Sequence, residues 1–199
     1  MGTSSKKNIV IFASGSGSNA QRLLEHFEHH PTIQVAALFS NNANAFALQR
    51  AENFNVPTVV FDRASLKDGT VAQQVQAYHP DLIVLAGFLW LLPAEFVKAF
   101  HNRIINIHPA LLPKFGGKGM HGEHVHQAVL DAAEGETGIT IHYVNEHYDE
   151  GAPIFQETCP VRADDTCETL AARVLSLEHQ HLPRVVEELL TQDKQTPRA

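Results

Sequence analysis

The sequence predicts an α/β fold: a mostly parallel sheet with helices on both faces and antiparallel late strands. Three observations carry this. From Asn8 to His108, apolar runs of strand length alternate with amphipathic stretches; strands buried on both faces read as continuous apolar runs, and parallel neighbours need a crossover helix between them. A glycine-rich segment, ASGSGSNA at 13–20, follows the first run, where a strand hands over to a helix. The last two apolar runs, TGITIHYV and APIFQETCPV, flank the turn EHYDEGA, which makes them antiparallel to each other. Together these describe a Rossmann-like sheet.

In order, NIVIFA is the first strand and AQRLLEHF its helix; VAALFS follows with AFALQRAENF, then TVVF, then one helix leading to DLIVLAGF. IINIH is a fifth strand that stops at Pro109, because proline cannot donate to the next rung of a ladder. GEHVHQAVLDAA reads as a helix before the late strands. Thr166, with Thr169 in the first turn, caps a long helix ending near Leu190. The tail TQDKQTPRA and the N-terminal end are expected to fray. With 199 residues, 44% of them hydrophobic, the chain can bury one ordinary core. A single domain is expected over 1–199, its core about 8–190.

The net charge of -7 and the lack of any basic run beyond Lys6-Lys7 exclude a binder held by phosphate neutralisation along nucleic acid. The first apolar run ends at Ser14, as a strand does and a signal peptide does not, and no stretch reaches membrane-spanning length. Two cysteines, Cys159 and Cys167, make no disulfide framework; both read as inert, one in a strand and one at a helix start. The expected setting is the cytoplasm and the expected partners are small molecules. Nothing in the sequence fixes an oligomeric state.

Glycines in the 13–20 loop free backbone N–H groups to face an anion at a helix N-terminus, so a phosphate is the natural guest. Gly15, Gly17 and Ala20 fit the dinucleotide fingerprint loosely, but the second strand ends in SNNAN, without the acid that holds a dinucleotide's ribose. A monophosphate fits better. The other reading is a tight turn that needs glycine only for its geometry.

In INIHPALLPKF, residues 105–115, period-two alternation puts Asn106 and His108 on one face of the fifth strand. Alone, such a pair could be a strand end whose polar groups satisfy each other. Asp149, in the turn YDEGAP, changes that. An Asp near a His favours the imidazolium, and an imidazolium beside an Asn amide offers two donors to a developing oxyanion. That is acyl-group chemistry. No serine or cysteine nucleophile stands obviously beside them, so direct transfer between two substrates is expected rather than a covalent intermediate. His121, His124 and His126 in HGEHVH invite a metal, but helical residues two apart do not share a face, and no metal is expected.

Taken together, SGSGSN, AGFLWLLP, INIHPALLPKF and the D-x-G of Asp149 to Gly151 resemble the folate-dependent formyltransferases. The glycine loop narrows the resemblance to the phosphoribosylglycinamide formyltransferase (GAR transformylase) branch, over about Asn8 to Leu190. The resemblance implies formyl transfer from 10-formyltetrahydrofolate, as co-substrate and without metal, to the amine of glycinamide ribonucleotide in de novo purine biosynthesis. Asn106, His108 and Asp149 match the family's catalytic triad. Gly15, Ser16, Gly17, Ser18 and Asn19 match its phosphate loop, and Glu178 an acid near the glycinamide amine. Leu89, Trp90, Leu91 and Leu92, with Asn106, match the folate pocket. Methionyl-tRNA formyltransferase and formyltetrahydrofolate deformylase share the triad but carry extra domains for which this chain is expected to have no room. Two departures stand out: Trp90 replaces a common arginine, and KFGGKGMHGE lengthens the loop between LLP and H-x-H. A formyltetrahydrofolate hydrolase, a formyltransferase for another amine, and a nucleotide-binding regulatory protein are the rival readings.

Overall fold

The computed structural model describes residues 6–192; of the tail expected to fray, Thr191 is instead the last residue of the final helix, and 1–5 and 193–199 lie outside the described residues. Strand β1 (Lys7–Phe12) shows why the apolar runs are continuous. Ile9 and Ile11 pack on one face of the sheet with α1 (Ser18–Phe27), α2 (Phe46–Asn53) and α7 (Cys167–Thr191). Val10 and Phe12 pack on the other with α4 (Thr70–Gln76) and α5 (Ala94–Ala99). A strand with no solvent face has no position for a polar side chain. Phe12 centres its face, stacked on Phe39 at 5.2 Å and edge-on to Phe61, Phe88 and Phe96. Truncating such a ring costs about 3–5 kcal/mol.

The remaining strands are β2 (Ile33–Ser40), β3 (Thr58–Val60), β4 (Leu82–Leu85), β5 (Ile104–His108), β6 (Glu136–Tyr143) and β7 (Pro153–Pro160). They form one sheet in the order β3-β2-β1-β4-β5-β6-β7. β1 to β5 are parallel neighbours, while β6 runs antiparallel to both β5 and β7. The expected fold class therefore stands, with antiparallel late strands.

One element differs from expectation. The single helix expected before the fourth strand is two short ones, α3 (Arg63–Lys67) and α4, parted at Gly69 with φ 90°. The break lies in left-handed backbone that glycine adopts at no steric cost. Helix α7 opens at Thr166 with a reciprocal capping box to Thr169, and it carries Pro183 inside its length.

The sheet order reverses direction between β1 and β4, so the segments leaving their C-terminal ends diverge and open a crevice. Ser14 ties the two sides together. Its N–H donates to Gly87 O at 3.0 Å, and its hydroxyl accepts from the Leu89 N–H at 3.1 Å.

Candidate active site

Strand β5 carries Asn106 and His108 to the crevice side by side, and its ladder with β6 sets His142 opposite Asn106. Asp149 arrives from the turn after β6 at φ 55°, a left-handed conformation uncommon for a side-chain-bearing residue and one that gathers at functional sites. Its Oδ1 accepts from Asn106 Nδ2 at 3.3 Å; its Oδ2 accepts from the Gly117 N–H at 2.9 Å and lies 3.5 Å from His108 Nδ1. The structure thus brings Asn106, His108 and Asp149 together as expected.

The protonation of the group differs from expectation. His108 Nε2 lies 2.8 Å from the Phe115 carbonyl, which can only accept, so Nε2 carries the proton. Burial is the largest influence on His108 and pushes its pKa below the ordinary value; Asp149 and the Phe115 carbonyl pull upward without overcoming it. At pH 7 the ring is therefore neutral, not the imidazolium expected. Nδ1 then faces Asp149 without a proton, in keeping with a separation too long for a strong hydrogen bond. Burial pushes Asp149 up, but the adjoining imidazole side chains and the Gly117 amide outweigh it and hold the carboxyl below the usual carboxylate range.

Asn106 has a second partner. His142 Nδ1 donates to the Tyr143 carbonyl at 2.9 Å, leaving Nε2 to accept from Asn106 Nδ2 at 3.2 Å. Both N–H groups of Asn106 are thus aimed at protein acceptors, as is the N–H of His108. The donors assigned to an oxyanion must exchange these partners for substrate.

The loop after β1 presents the other half of the site. Among the described residues, the backbone N–H groups of Gly15, Ser16, Gly17, Ser18, Asn19 and Ala20 meet no backbone acceptor, while α1 begins at Ser18 without a side-chain cap. Free amides gathered at a helix start are an arrangement able to accept an anion. Gly17 also serves the turn reading: its φ is 70°, and a Cβ there would stand 2.5 Å from Ala47 Cβ. Asn19 is buried; its Nδ2 donates to Glu178 Oε2 at 2.6 Å while its Oδ1 has no partner among the described residues. Burial raises Glu178 to about 7 against the lowering effect of Asn19.

One cavity of about 890 Å³ joins these halves: Ser16, Asn19, Glu178, Asn106, His108 and Asp149 all line it. Leu89, Trp90, Leu91 and Leu92 form another part of its wall. Trp90 is half-buried, packs against Phe61 and Phe88, and carries the Arg63 guanidinium 4.3 Å above its ring. It is wall and packing at once. Among the described residues, Ser16 is the only serine, threonine or cysteine along the lining, which fits direct transfer better than a covalent intermediate. The sequence pattern of one family, described as formyl transferase, matches residues 7–186.

The chain belongs to the formyl transferase family. It is 40% identical over 190 residues to the chloroplastic phosphoribosylglycinamide formyltransferase of Vigna unguiculata, covering 92% of this chain and 61% of that relative. It is 36% identical to the phosphoribosylglycinamide formyltransferase of Escherichia coli, covering 90% of this chain and 85% of the relative. The solved phosphoribosylglycinamide formyltransferase from Anaplasma phagocytophilum superposes with a TM-score of 0.85 at 34% identity, over 93% of this chain and 87% of that one. That from Streptococcus pneumoniae gives 0.82 at 33%, over 93% and 99%.

Within this formyl transferase, the loop between β5 and α6 (Glu123–Asp131) also reaches the cavity: Gly117, Lys118, Gly119, Met120, His121 and Gly122 all line it. Of its histidines, His126 is buried and lines the cavity while His124 is exposed. Among the described residues, no group of three or more His, Cys, Asp or Glu side chains is arranged to hold a metal, and no helix is long and apolar enough to cross a membrane. Sequence reasoning missed His142, which orients the Asn106 amide, and Phe115, whose carbonyl covers His108. Strand alternation could have found His142, which faces Asn106 once the β5–β6 register is known. A backbone carbonyl leaves no trace in residue identity.

Proposed function

We propose that this formyl transferase moves the formyl group of 10-formyltetrahydrofolate to the amine of glycinamide ribonucleotide, the step expected in de novo purine biosynthesis, as one formyltransferase domain. The observation that carries this is the shared cavity. It joins an amide-lined phosphate site to the Asn106–His108–Asp149 group, with an amine acceptor set between nucleotide and chemistry. Glu178 and the Asn19 Oδ1 are that acceptor, because an amine donor would satisfy a buried oxygen that no group among the described residues reaches. The phosphate takes the N–H groups of 15–20 and the helix dipole of α1. The pterin takes the wall of Leu89, Trp90, Leu91 and Leu92, beside Asn106.

The amine nitrogen attacks the formyl carbon and the carbonyl oxygen becomes an oxyanion. Asn106 Nδ2–H and His108 Nε2–H turn from their protein acceptors to this oxygen, where they are worth most as charge develops. As that charge grows, Asp149 favours protonation of His108. The tetrahedral intermediate loses a proton from its amine nitrogen, relayed through Asp149 and water. N10 of the folate leaves and takes up a proton, so the products are formylglycinamide ribonucleotide and tetrahydrofolate. The setting proposed is a reducing cytoplasm, in which Cys159 and Cys167 stay free thiols, although the Vigna relative is named chloroplastic.

The test is tetrahydrofolate release measured with and without glycinamide ribonucleotide. Release that depends on the nucleotide is expected. Release at the same rate without it would favour the hydrolase reading, and ligand binding without turnover would favour the regulatory one.

A further inference from the structure

Arg50 lies near the end of α2, its guanidinium 4.8 Å from the ring centroid of Phe46. Side chains four apart on a helix meet, and a cation over a ring is held there; this gives the 51%-exposed Phe46 a purpose. From that perch Arg50 Nε donates to the Ser16 carbonyl at 2.8 Å and Nη1 to Gln21 Oε1 at 3.2 Å. The neighbouring loop carbonyls are held too: Gly15 O accepts from the Ala47 N–H at 3.1 Å, and Gly17 O from the Gln21 N–H at 2.9 Å. In a planar trans peptide the C=O of one residue and the N–H of the next point in opposite directions. Fixing the carbonyls of 15, 16 and 17 toward α1 and α2 therefore turns the N–H groups of 16, 17 and 18 the other way. Of the three holds, only the one on Ser16 comes from a side chain.

We propose that Arg50 is the positioning residue of the phosphate loop: by holding the Ser16 carbonyl it aims the Gly17 N–H at the phosphate of the nucleotide. This rests on the function proposed above. Arg50 does not touch the reacting atoms, so its loss acts on nucleotide binding alone.

The test compares wild type with Arg50→Met and Arg50→Lys. Methionine keeps an apolar stem against Phe46 and removes the donor; lysine keeps the charge but has no N–H at the Nε position. Losing a charged donor that organises a binding loop is expected to raise KM for glycinamide ribonucleotide about tenfold in both variants. kcat and the folate KM are expected to stay within about twofold, the signature of lost uniform binding. Rescue by Arg50→Lys would reduce the effect to charge alone and overturn positioning; equal rises in both KM values would make the role generally structural and also overturn it. Ribose 5-phosphate binding by calorimetry runs in parallel. If wild type binds ribose 5-phosphate without turning over glycinamide ribonucleotide, the function fails, and the Kd ratio of the variants still decides the case of Arg50. If wild type turns over and Arg50→Met leaves the nucleotide KM unchanged, Arg50 alone fails.

Discussion

Glu178 is a carboxyl kept mostly out of water, and its proton links folding to pH. Its folded pKa, about 7, lies above the ordinary 4.5, so between those values the folded form holds a proton that the unfolded form has released. The stabilisation is fully present below about 4.5 and lost as pH rises through about 7. A shift of that size is worth on the order of 3 kcal/mol. Glu178→Gln, which keeps an oxygen for Asn19, is expected to match wild type at pH 4.5 and exceed its stability at pH 8 by roughly that amount, while losing activity. Denaturant melts at the two pH values check this; a difference that stays flat with pH would contradict it. Asp149 gives a second prediction. Asparagine tolerates left-handed backbone, so Asp149→Asn keeps the turn and removes the charge that pulls His108 upward. The His108 ring, followed by NMR, should titrate at lower pH in that variant, and turnover should fall about 100- to 1,000-fold as it would on losing an oxyanion donor. An unmoved titration would mean that Asp149 acts on something other than His108.

At the scale of elements, the glycine loop divides its turn geometry and its proposed phosphate binding between different residues. Gly17 sits against Ala47 in left-handed backbone, so Gly17→Val would drive atoms into α2, and loss of both ligands would report only damage to the fold. Gly15 has nothing within 4 Å of where its Cβ would stand, which makes Gly15→Val the cleaner probe. It is expected to weaken glycinamide ribonucleotide and spare the folate, measured as separate KM values; equal loss of both would return the loop to the role of a tight turn. The β4–α5 segment offers an optical test. Trp90 is the only tryptophan and lines the cavity, so a folate analogue should quench its fluorescence and the nucleotide should not. No change with either ligand would remove Trp90 from the folate wall. Both segments were legible in the sequence because glycine and proline punctuate them. The split between α3 and α4 was not, since one Gly69 in an amphipathic run does not by itself say whether a helix bends or stops.

For the molecule as a whole, the fold class was legible, whereas the strand order and the charge state of the site were not. Continuous apolar runs such as Ile9 to Phe12 suit a strand covered on both faces, and their alternation with amphipathic stretches implies parallel neighbours joined by crossover helices, but the same alternation serves more than one strand order. Asn106 and His108 could be paired because period two is a local rule, whereas Asp149 lies beyond β6 and only the family resemblance joined it to them as a triad. The neutral His108 depends on burial summed over the fold and on a carbonyl seven residues away, neither of which is written in any one residue. The sheet reversal between β1 and β4 creates the crevice, β5 brings the donors to its edge, and α1 and α7 bring Asn19 and Glu178 to the same cavity. The account stands on the formyl group crossing that cavity from one ligand to the other. Labelling the formyl carbon of 10-formyltetrahydrofolate with carbon-13 and following it by NMR tests this most directly. With wild type the label should appear in the formyl amide of glycinamide ribonucleotide, and with His108→Ala it should stay on the folate; label released as free formate at the same rate with or without the nucleotide would contradict the account.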